Sequence, residues 1–297
     1  MKKMTKKTTR RISLVLGSGG ARGMAHIGII HWLEEHGYEI AAISGCSSGA
    51  LVGGIYAAGK LDEFEKWVCA IDRFDMLKLM DISWSSNGLL RGDKVIDTLK
   101  DLVGDMRIEE LPIEFTAVAT DLHNEKEVWL RQGSLFDAIR ASISLPLFFT
   151  PFHYQGTDLI DGGVLNPVPI APTFGDHADL TIAVNLAGTP DPTGQAKAPQ
   201  DSEPEAISPL REKVQTFLGQ LGLGSEDADQ QELNAREVIS QTIDTMQASI
   251  ARQKLAAYPP DKVVSIARNA CGLLEFDRAR ELIDLGYQRA EACLGED

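Results

Sequence analysis

The chain has 297 residues, and 43 acidic against 29 basic side chains give it a formal net charge of −14 at pH 7. Hydrophobic residues make up 43% and charged residues 24%, a composition that excludes intrinsic disorder for the bulk of the chain. It also argues against a nucleic-acid-binding protein, because a phosphate-reading surface needs clustered Lys and Arg. No apolar run approaches the roughly 18 residues that span a bilayer.

Residues 1–11 carry six basic side chains and no acidic one. We interpret them as a flexible arm, with weak attraction to an anionic lipid surface as the alternative. The apolar stretch that follows is too short for a secretory signal. The four cysteines form no CxxC pair, which favours free thiols in a reducing compartment. We therefore expect a cytoplasmic protein, with peripheral membrane contact as the further option.

Strands and helices alternate in the first sixty residues, which is typical of an α/β layered fold. In chain order, the apolar patterns predict strands at 12–16, 40–44, 112–121, 127–131, 158–160, 180–186 and 263–266. The helical spacing of apolar residues predicts helices at 22–36, 48–58, 135–143 and 276–292. Residues 61–110 are expected to be mainly helical, with loops at 83–92.

The domain organisation follows from a change in composition. We interpret residues 12–186 as one catalytic core. Residues 187–209 contain five of the thirteen prolines, which is too many for a packed segment. We assign 187–235 to a linker or insert with a short amphipathic helix. We expect 236–297 to be a helical part that completes the same domain.

The first motif that could carry chemistry is a G-x-S-x-G pentapeptide. Its sequence is Gly45-Cys46-Ser47-Ser48-Gly49. It follows a predicted strand and opens a predicted helix, which is the setting of a nucleophile elbow. The small flanking residues allow a sharp turn, and the helix N-terminus favours a developing anion. A turn with a serine helix cap is the structural alternative.

A glycine-rich loop follows the first predicted strand. Its sequence is Gly17-Ser18-Gly19-Gly20-Ala21-Arg22-Gly23. Consecutive glycines let backbone amides point into one concavity, which suits an oxyanion hole. A dinucleotide fingerprint would need glycine at position 22, and the lysine of a phosphate-binding P-loop is absent.

A third motif, Asp161-Gly162-Gly163, follows a predicted strand. A carboxylate there could act as the general base for a serine hydroxyl. The chain order Ser47, Asp161, His177 would also fit an α/β-hydrolase triad, and we keep it as an alternative.

These motifs together resemble those of the patatin-like phospholipase family, and most closely its short bacterial members. Three blocks carry the resemblance: LVLGSGGARGMAHIGIIHWLEEHG, ISGCSSGALVGGIYAAG and the segment from FTAVATD to LNPVPI. The similarity runs from about residue 12 to 186 and resumes weakly at about 261–290.

The resemblance implies a three-layer α/β/α fold with a mainly parallel sheet, and a catalytic dyad rather than a triad. By its motifs, Ser47 is the nucleophile, Asp161 is the general base, and the amides around Ser18, Gly19 and Gly20 form the oxyanion hole. The implied reaction is hydrolysis of a carboxylic ester of a lipid or acyl ester through an acyl-enzyme, with no cofactor and no metal.

Supporting roles fall to Arg22, which would hold the glycine loop or meet a phosphate, and to four glycines. Gly45 and Gly49 flank the nucleophile, and Gly162 and Gly163 follow the base. The sequence has no feature that fixes an oligomeric state.

Two residues depart from the family pattern: Ser18 and Leu147 stand where glycine is usual. Serine at position 18 would be strained if that position needed a positive φ. We expect an apolar pocket lined by residues 144–149, with residues 76–80 and Trp84 as a cap; either run could instead be core. The acidic chain disfavours flat anionic membranes.

Two other functions are open from the sequence. The first is a catalytically weak protein of the same fold that binds acylated ligands and regulates. The second is a nucleotide-binding α/β protein that uses the glycine loop.

Overall fold

The computed structural model describes residues 10–72, 92–146, 148–192 and 235–295. Four predicted features lie outside these ranges: most of the basic arm, the cap at 76–80 with Trp84, the residue Leu147, and the amphipathic helix of the insert.

The described chain alternates strands and helices. The strands are β1 (Arg10–Leu16), β2 (Tyr38–Cys46), β3 (Glu114–Asp121), β4 (Lys126–Leu130), β5 (Phe152–Tyr154), β6 (Thr157–Asp161), β7 (Leu180–Gly188) and β8 (Lys262–Ala267). The helices are α1 (Ala25–Glu35), α2 (Ser48–Ala57), α3 (Leu61–Val68), α4 (Asp93–Val103), α5 (Leu135–Ser142), α6 (Ala235–Ala257) and α7 (Ala279–Leu294).

The strands form one mixed sheet in the order β5-β6-β3-β2-β1-β7-β8, with β4 paired to β3. The five strands β3, β2, β1, β7 and β8 are mutually parallel, whereas β4 and β6 run antiparallel to β3. The carboxyl ends of β1 and β2 therefore meet at one edge of the sheet, where ligands bind in open α/β folds.

Helices cover both faces of the sheet, which makes three layers. Leu14 and Leu16 of β1 face the larger core, shared with α1, α2 and α7. Val15 points to the opposite face, where it packs with Ala183 of β7 and Ala251 of α6. This alternation follows from the two-residue repeat of a strand, and it confirms the predicted three-layer α/β/α architecture.

Helices α1 and α7 cross at two glycines. A Cβ on Gly28 would lie 1.9 Å from the carbonyl oxygen of Ile283, and one on Gly286 would lie 2.0 Å from that of Ala25. The backbones are therefore in direct contact, which fixes the last helix against the first.

The start of α1 and the strand β5 differ from the predicted elements. The helix predicted from residue 22 begins as a 3₁₀ turn at Gly20–Met24 and becomes α-helical at Ala25, because the glycine loop takes up the first turn. The short strand β5 was not predicted; its three residues pair with β6 across a tight turn at Gln155 and Gly156.

Candidate active site

Ser47 lies at the turn between β2 and α2, with φ 55° and ψ −122°. Few non-glycine residues adopt this backbone conformation, and it costs on the order of 1–3 kcal/mol. The turn is tight enough that a Cβ on Gly45 would lie 2.5 Å from the carbonyl oxygen of Gly49, and one on Gly49 would lie 2.0 Å from that of Leu16. The predicted small residues are thus required sterically.

The backbone of Ser47 is held by a residue that the sequence motifs did not single out. Its amide donates to the hydroxyl of Ser142 at 2.8 Å, and that hydroxyl donates to the carbonyl of Val118 at 2.7 Å. Ser142 ends α5 and is fully buried. This hydrogen-bonded chain ties the strained turn to β3 and thereby supports its geometry.

The sheet register brings Asp161 to the level of Ser47. Cys46 of β2 pairs with Val118 of β3, and the next residue of β3, Ala119, pairs with Asp161 of β6. Ser47 and Asp161 therefore lie on either side of β3, about two strand spacings apart in the backbone, roughly 10 Å. Their side chains approach each other across β3.

The environment of Asp161 makes it a stronger base than an exposed aspartate. Burial raises the pKa of its carboxyl from 3.8 to about 6, against the lowering effects of the Ser47 hydroxyl and the Gly163 amide. Oδ1 accepts from that amide at 2.7 Å, while Oδ2 has no hydrogen-bond partner among the described residues. One buried oxygen thus stays open to a proton donor.

One of the three backbone amides predicted to form the oxyanion hole already has a hydrogen-bond partner. The amide of Ser18 donates to the carbonyl of Pro167 at 2.8 Å, and that of Ala21 donates to Leu273 at 2.9 Å, so Ser18 is not an open backbone donor. Within the described part of the chain, no hydrogen bond occupies the amides of Gly19 and Gly20. Ser18 does not have a positive φ, so the serine causes no backbone strain there.

Arg22 holds the loop rather than facing the cavity. Its side chain is buried, and its guanidinium donates to the carbonyls of Gly19 at 3.0 Å and Arg268 at 2.8 Å. It also forms an ion pair with Asp244 of α6 at 2.7 Å. Of the two roles left open for Arg22, these contacts favour the structural one and join the loop to a helix more than 200 residues away in sequence.

The histidines do not complete a triad in this geometry. His177 is exposed, and its carbonyl accepts from Arg11 at the start of β1. Arg11 lies about 20 Å along the strand from the edge of the sheet that carries Ser47. His26 is buried behind the glycine loop and hydrogen-bonds the carbonyl of Gly17 at 2.9 Å. Burial lowers the pKa of His26 to about 4, so it is neutral at neutral pH and donates to this carbonyl.

An apolar cavity of about 1020 Å³, including its mouth, opens at Ser47. Leu145, Phe148 and Phe149 line it, as expected for the 144–149 segment, whereas Ser144 is buried and bonds Arg140. The remaining lining is mostly apolar and comes from many elements: Met24, Leu51, Phe64, Trp67, Val68, Val95, Leu99, Ile143, Ile243, Leu273, Leu274 and Phe276.

In the ranges that the structure covers, no three His, Cys, Asp or Glu residues are grouped so that they could hold a metal ion. The same ranges contain no helix that is both long and apolar enough to cross a membrane. The four cysteines are free thiols.

The sequence matches a known family over more than half of its length. The family model described as Patatin-like phospholipase matches residues 14–174, a range that contains the glycine loop, Ser47 and Asp161. The chain belongs to the patatin-like phospholipase family.

Relatives place the chain more narrowly in the NTE family. Uncharacterised NTE family proteins of Mycobacterium bovis and Mycobacterium tuberculosis are 39% identical over 333 residues, which cover 96% of this chain and 91% of theirs. A lysophospholipase of Emericella nidulans is 31% identical over 194 residues, 63% of this chain and 12% of its own. Among solved structures, VipD from Legionella pneumophila aligns over 97% of this chain and 67% of its own, with a TM-score of 0.47 and 14% identity.

Proposed function

We propose that this protein is a serine acyl hydrolase that cleaves carboxylic esters of lipids or acyl esters through an acyl-enzyme on Ser47. The observation that carries the proposal is the strained turn that presents Ser47 at the mouth of an apolar cavity, beside a buried carboxylate. Membership of a family described as phospholipases supports it.

In the proposed acylation step, the Ser47 hydroxyl attacks the ester carbonyl carbon and transfers its proton to Asp161. A base with a pKa near 6 is ionised at neutral pH and still able to accept that proton. The amides of Gly19 and Gly20 would donate to the oxyanion of the tetrahedral intermediate. Collapse breaks the bond to the alcohol oxygen, and protonated Asp161 returns its proton to that leaving group.

Deacylation repeats the sequence with water as the nucleophile. Asp161 takes a proton from water, the resulting hydroxide attacks the acyl-enzyme, and the proton passes back to Ser47 as the free acid leaves. No cofactor is needed for either step, because both the nucleophile and the base belong to the chain.

The cavity favours an apolar acyl chain in the substrate. Its walls are predominantly aliphatic and aromatic, and such walls bind apolar groups by removing them from water. The net charge of −14 favours soluble acyl esters and zwitterionic or lysophospholipid substrates over strongly anionic surfaces. The relative described as a lysophospholipase agrees with this substrate class.

Two assays on wild type, Ser47→Ala and Asp161→Asn test the proposal. We expect a fluorophosphonate probe to label wild type, and wild type to hydrolyse p-nitrophenyl esters of graded chain length. Turnover should fall by about 10³-fold or more in both variants, and labelling should be lost in Ser47→Ala. His177→Ala serves as the matched control and should retain wild-type rates.

A folded wild type that neither reacts with the probe nor hydrolyses any ester would contradict the proposal. That result would favour the second reading of the sequence, a protein of this fold that binds acylated ligands. A loss of turnover in His177→Ala as large as that in Ser47→Ala would instead support the alternative triad of Ser47, Asp161 and His177.

A further inference from the structure

Two polar side chains stand in the wall of the otherwise apolar cavity. Gln247 of α6 is 7% exposed, and Ser18 of the glycine loop is 6% exposed. Across the described residues, no hydrogen bond occupies the side-chain amide of Gln247 or the hydroxyl of Ser18. Both side chains line the cavity and keep their hydrogen-bonding capacity open towards it, so they can bind a polar group on the ligand.

The two side chains converge beside the candidate catalytic base. A Cβ on Gly163 would lie 2.7 Å from Gln247 Nε2, 2.7 Å from Ser18 Oγ and 3.0 Å from Asp161 Oδ1. Three polar atoms from widely separated parts of the chain thus surround one point. Because residue 163 is glycine, no side chain separates them.

Two ion pairs fix α6 in the position that places Gln247 there. Asp244 pairs with Arg22 of the glycine loop at 2.7 Å, and Lys254 pairs with Glu127 of β4 at 2.6 Å. Gln247 lies between these anchors, one helical turn after Asp244 and on the same side of the helix. The position of Gln247 is therefore determined by the catalytic core rather than by a free helix end.

The location beside Asp161 indicates which part of the substrate this pair would meet. In the proposed reaction, Asp161 returns a proton to the alkoxide that leaves, so the alcohol portion of the ester must lie next to it. Polar atoms near Asp161 are consequently on the leaving-group side, whereas the apolar walls suit the acyl chain.

We infer that Gln247 and Ser18 form a polar subsite for a hydroxyl of the leaving alcohol, on the carbon adjacent to the one that bears the ester oxygen. Gln247 Nε2 donates to the hydroxyl oxygen, and the hydroxyl donates to Ser18 Oγ. The subsite selects acyl esters of polyols with that hydroxyl free, and disfavours esters in which it is absent or acylated. This inference rests on the proposed function and deepens it.

The test compares two monoesters with the same decanoyl chain. One is the 1-ester of glycerol, and the other is the monoester of 1,3-propanediol, which lacks only the 2-hydroxyl. The quantity measured is the ratio of their kcat/KM values, which reports on acylation and is unaffected by the common deacylation step. Gln247→Met keeps the shape of the side chain and removes its amide, and Ser18→Ala is the second variant. Gln253→Met makes the same change on the exposed side of α6.

We expect wild type and Gln253→Met to prefer the glycerol ester by about tenfold, the value of one well-made hydrogen bond. Gln247→Met should lower that ratio to near one, and Ser18→Ala should lower it in the same direction. A ratio that is near one in wild type, or that Gln247→Met leaves unchanged while both rates fall, overturns the inference.

Fluorophosphonate labelling of the same samples separates the two proposals. A wild type that is labelled and hydrolyses p-nitrophenyl esters, yet shows no hydroxyl preference, overturns the subsite alone. A folded wild type without labelling or turnover overturns the proposed function, and the subsite with it.

Discussion

Two regions meet at Ser47, and they differ in how they affect the stability of the folded protein. The candidate catalytic centre consists of turns after β1, β2 and β6, all within the range matched by the family. The cavity wall combines residues of that range with α6 and with residues 273–276, which lie beyond it. The centre contains a strained backbone and a buried carboxyl, whereas the wall is mainly packed apolar surface.

This difference separates reactivity from selectivity. Ser47 and Asp161 are held in states that an isolated chain would avoid, so their replacement is expected to stabilise the protein while it removes activity on every ester. Changes in the wall should alter which ester reacts. The following predictions are arranged from the largest expected effect to the smallest.

Ser47→Gly is expected to abolish turnover of all esters, by about 10³-fold or more, and to raise the free energy of unfolding by about 1 kcal/mol. Glycine adopts φ 55° without the steric cost that a Cβ imposes. Denaturant unfolding of this variant and of Ser47→Ala measures the effect, since both lack the hydroxyl and differ only in the Cβ. A glycine variant less stable than the alanine variant would show that the turn is unstrained.

Arg22→Met should lower the free energy of unfolding by about 3 kcal/mol, because it breaks a buried ion pair and leaves two backbone carbonyls without their donor. All esters should lose activity to a similar degree, on the order of 10²-fold, as the glycine loop shifts. Asp244→Asn keeps an acceptor oxygen for Arg22 and should lose much less stability and activity. Equal rates of ester hydrolysis in wild type and Arg22→Met would show that the glycine loop keeps its geometry without the contacts of Arg22.

Asp161→Asn should be more stable than wild type at pH 8. Because the folded-state pKa is about 6 against a usual 3.8, ionisation of Asp161 destabilises the folded state. This penalty is complete above pH 6 and disappears as the pH falls towards 4, and it corresponds to about 3 kcal/mol at most. Urea unfolding at pH 8 and pH 4.5 measures the free energy of unfolding of the two proteins. Titration of His26 contributes equally to both values, so it cancels in their difference. A stability difference between Asp161→Asn and wild type that is as large at pH 4.5 as at pH 8 would contradict the raised pKa of Asp161.

Ile243→Trp should shift the preferred acyl chain of p-nitrophenyl esters to shorter lengths, with a change of a few-fold in relative kcat/KM. Ile243 lines the cavity one turn before Gln247, so a larger side chain fills space that a long chain would use. Met246→Trp on the exposed side of α6 is the control. Unchanged chain-length preference would place the acyl chain elsewhere.

The elements of the site that were predicted are those encoded by local sequence. The strand–turn–helix at Ser47 follows from a short apolar segment, small flanking residues and a helix that begins immediately, so its geometry is determined within about fifteen residues. The strands β1, β2, β3 and β4 were predicted for the same reason, and the structure adds that β1 and β2 pair in parallel and β3 and β4 antiparallel.

The residues that were missed act through partners far away in the chain. No local pattern distinguishes Ser142 from other helical serines, yet it holds the Ser47 amide. Nor does the sequence show that Pro167 occupies the amide of Ser18.

By itself, the sequence determined the α/β class and the order of the three motifs that carry the candidate nucleophile, oxyanion loop and base. Only the tertiary structure decided which amides stay open, that Arg22 faces inward to Asp244, and that Gln247 lies beside Asp161. Local backbone preferences and side-chain periodicity depend on neighbours in sequence, so they can be read directly. Burial, hydrogen-bond competition and pKa depend on which distant segments pack together, and the fold alone determines that.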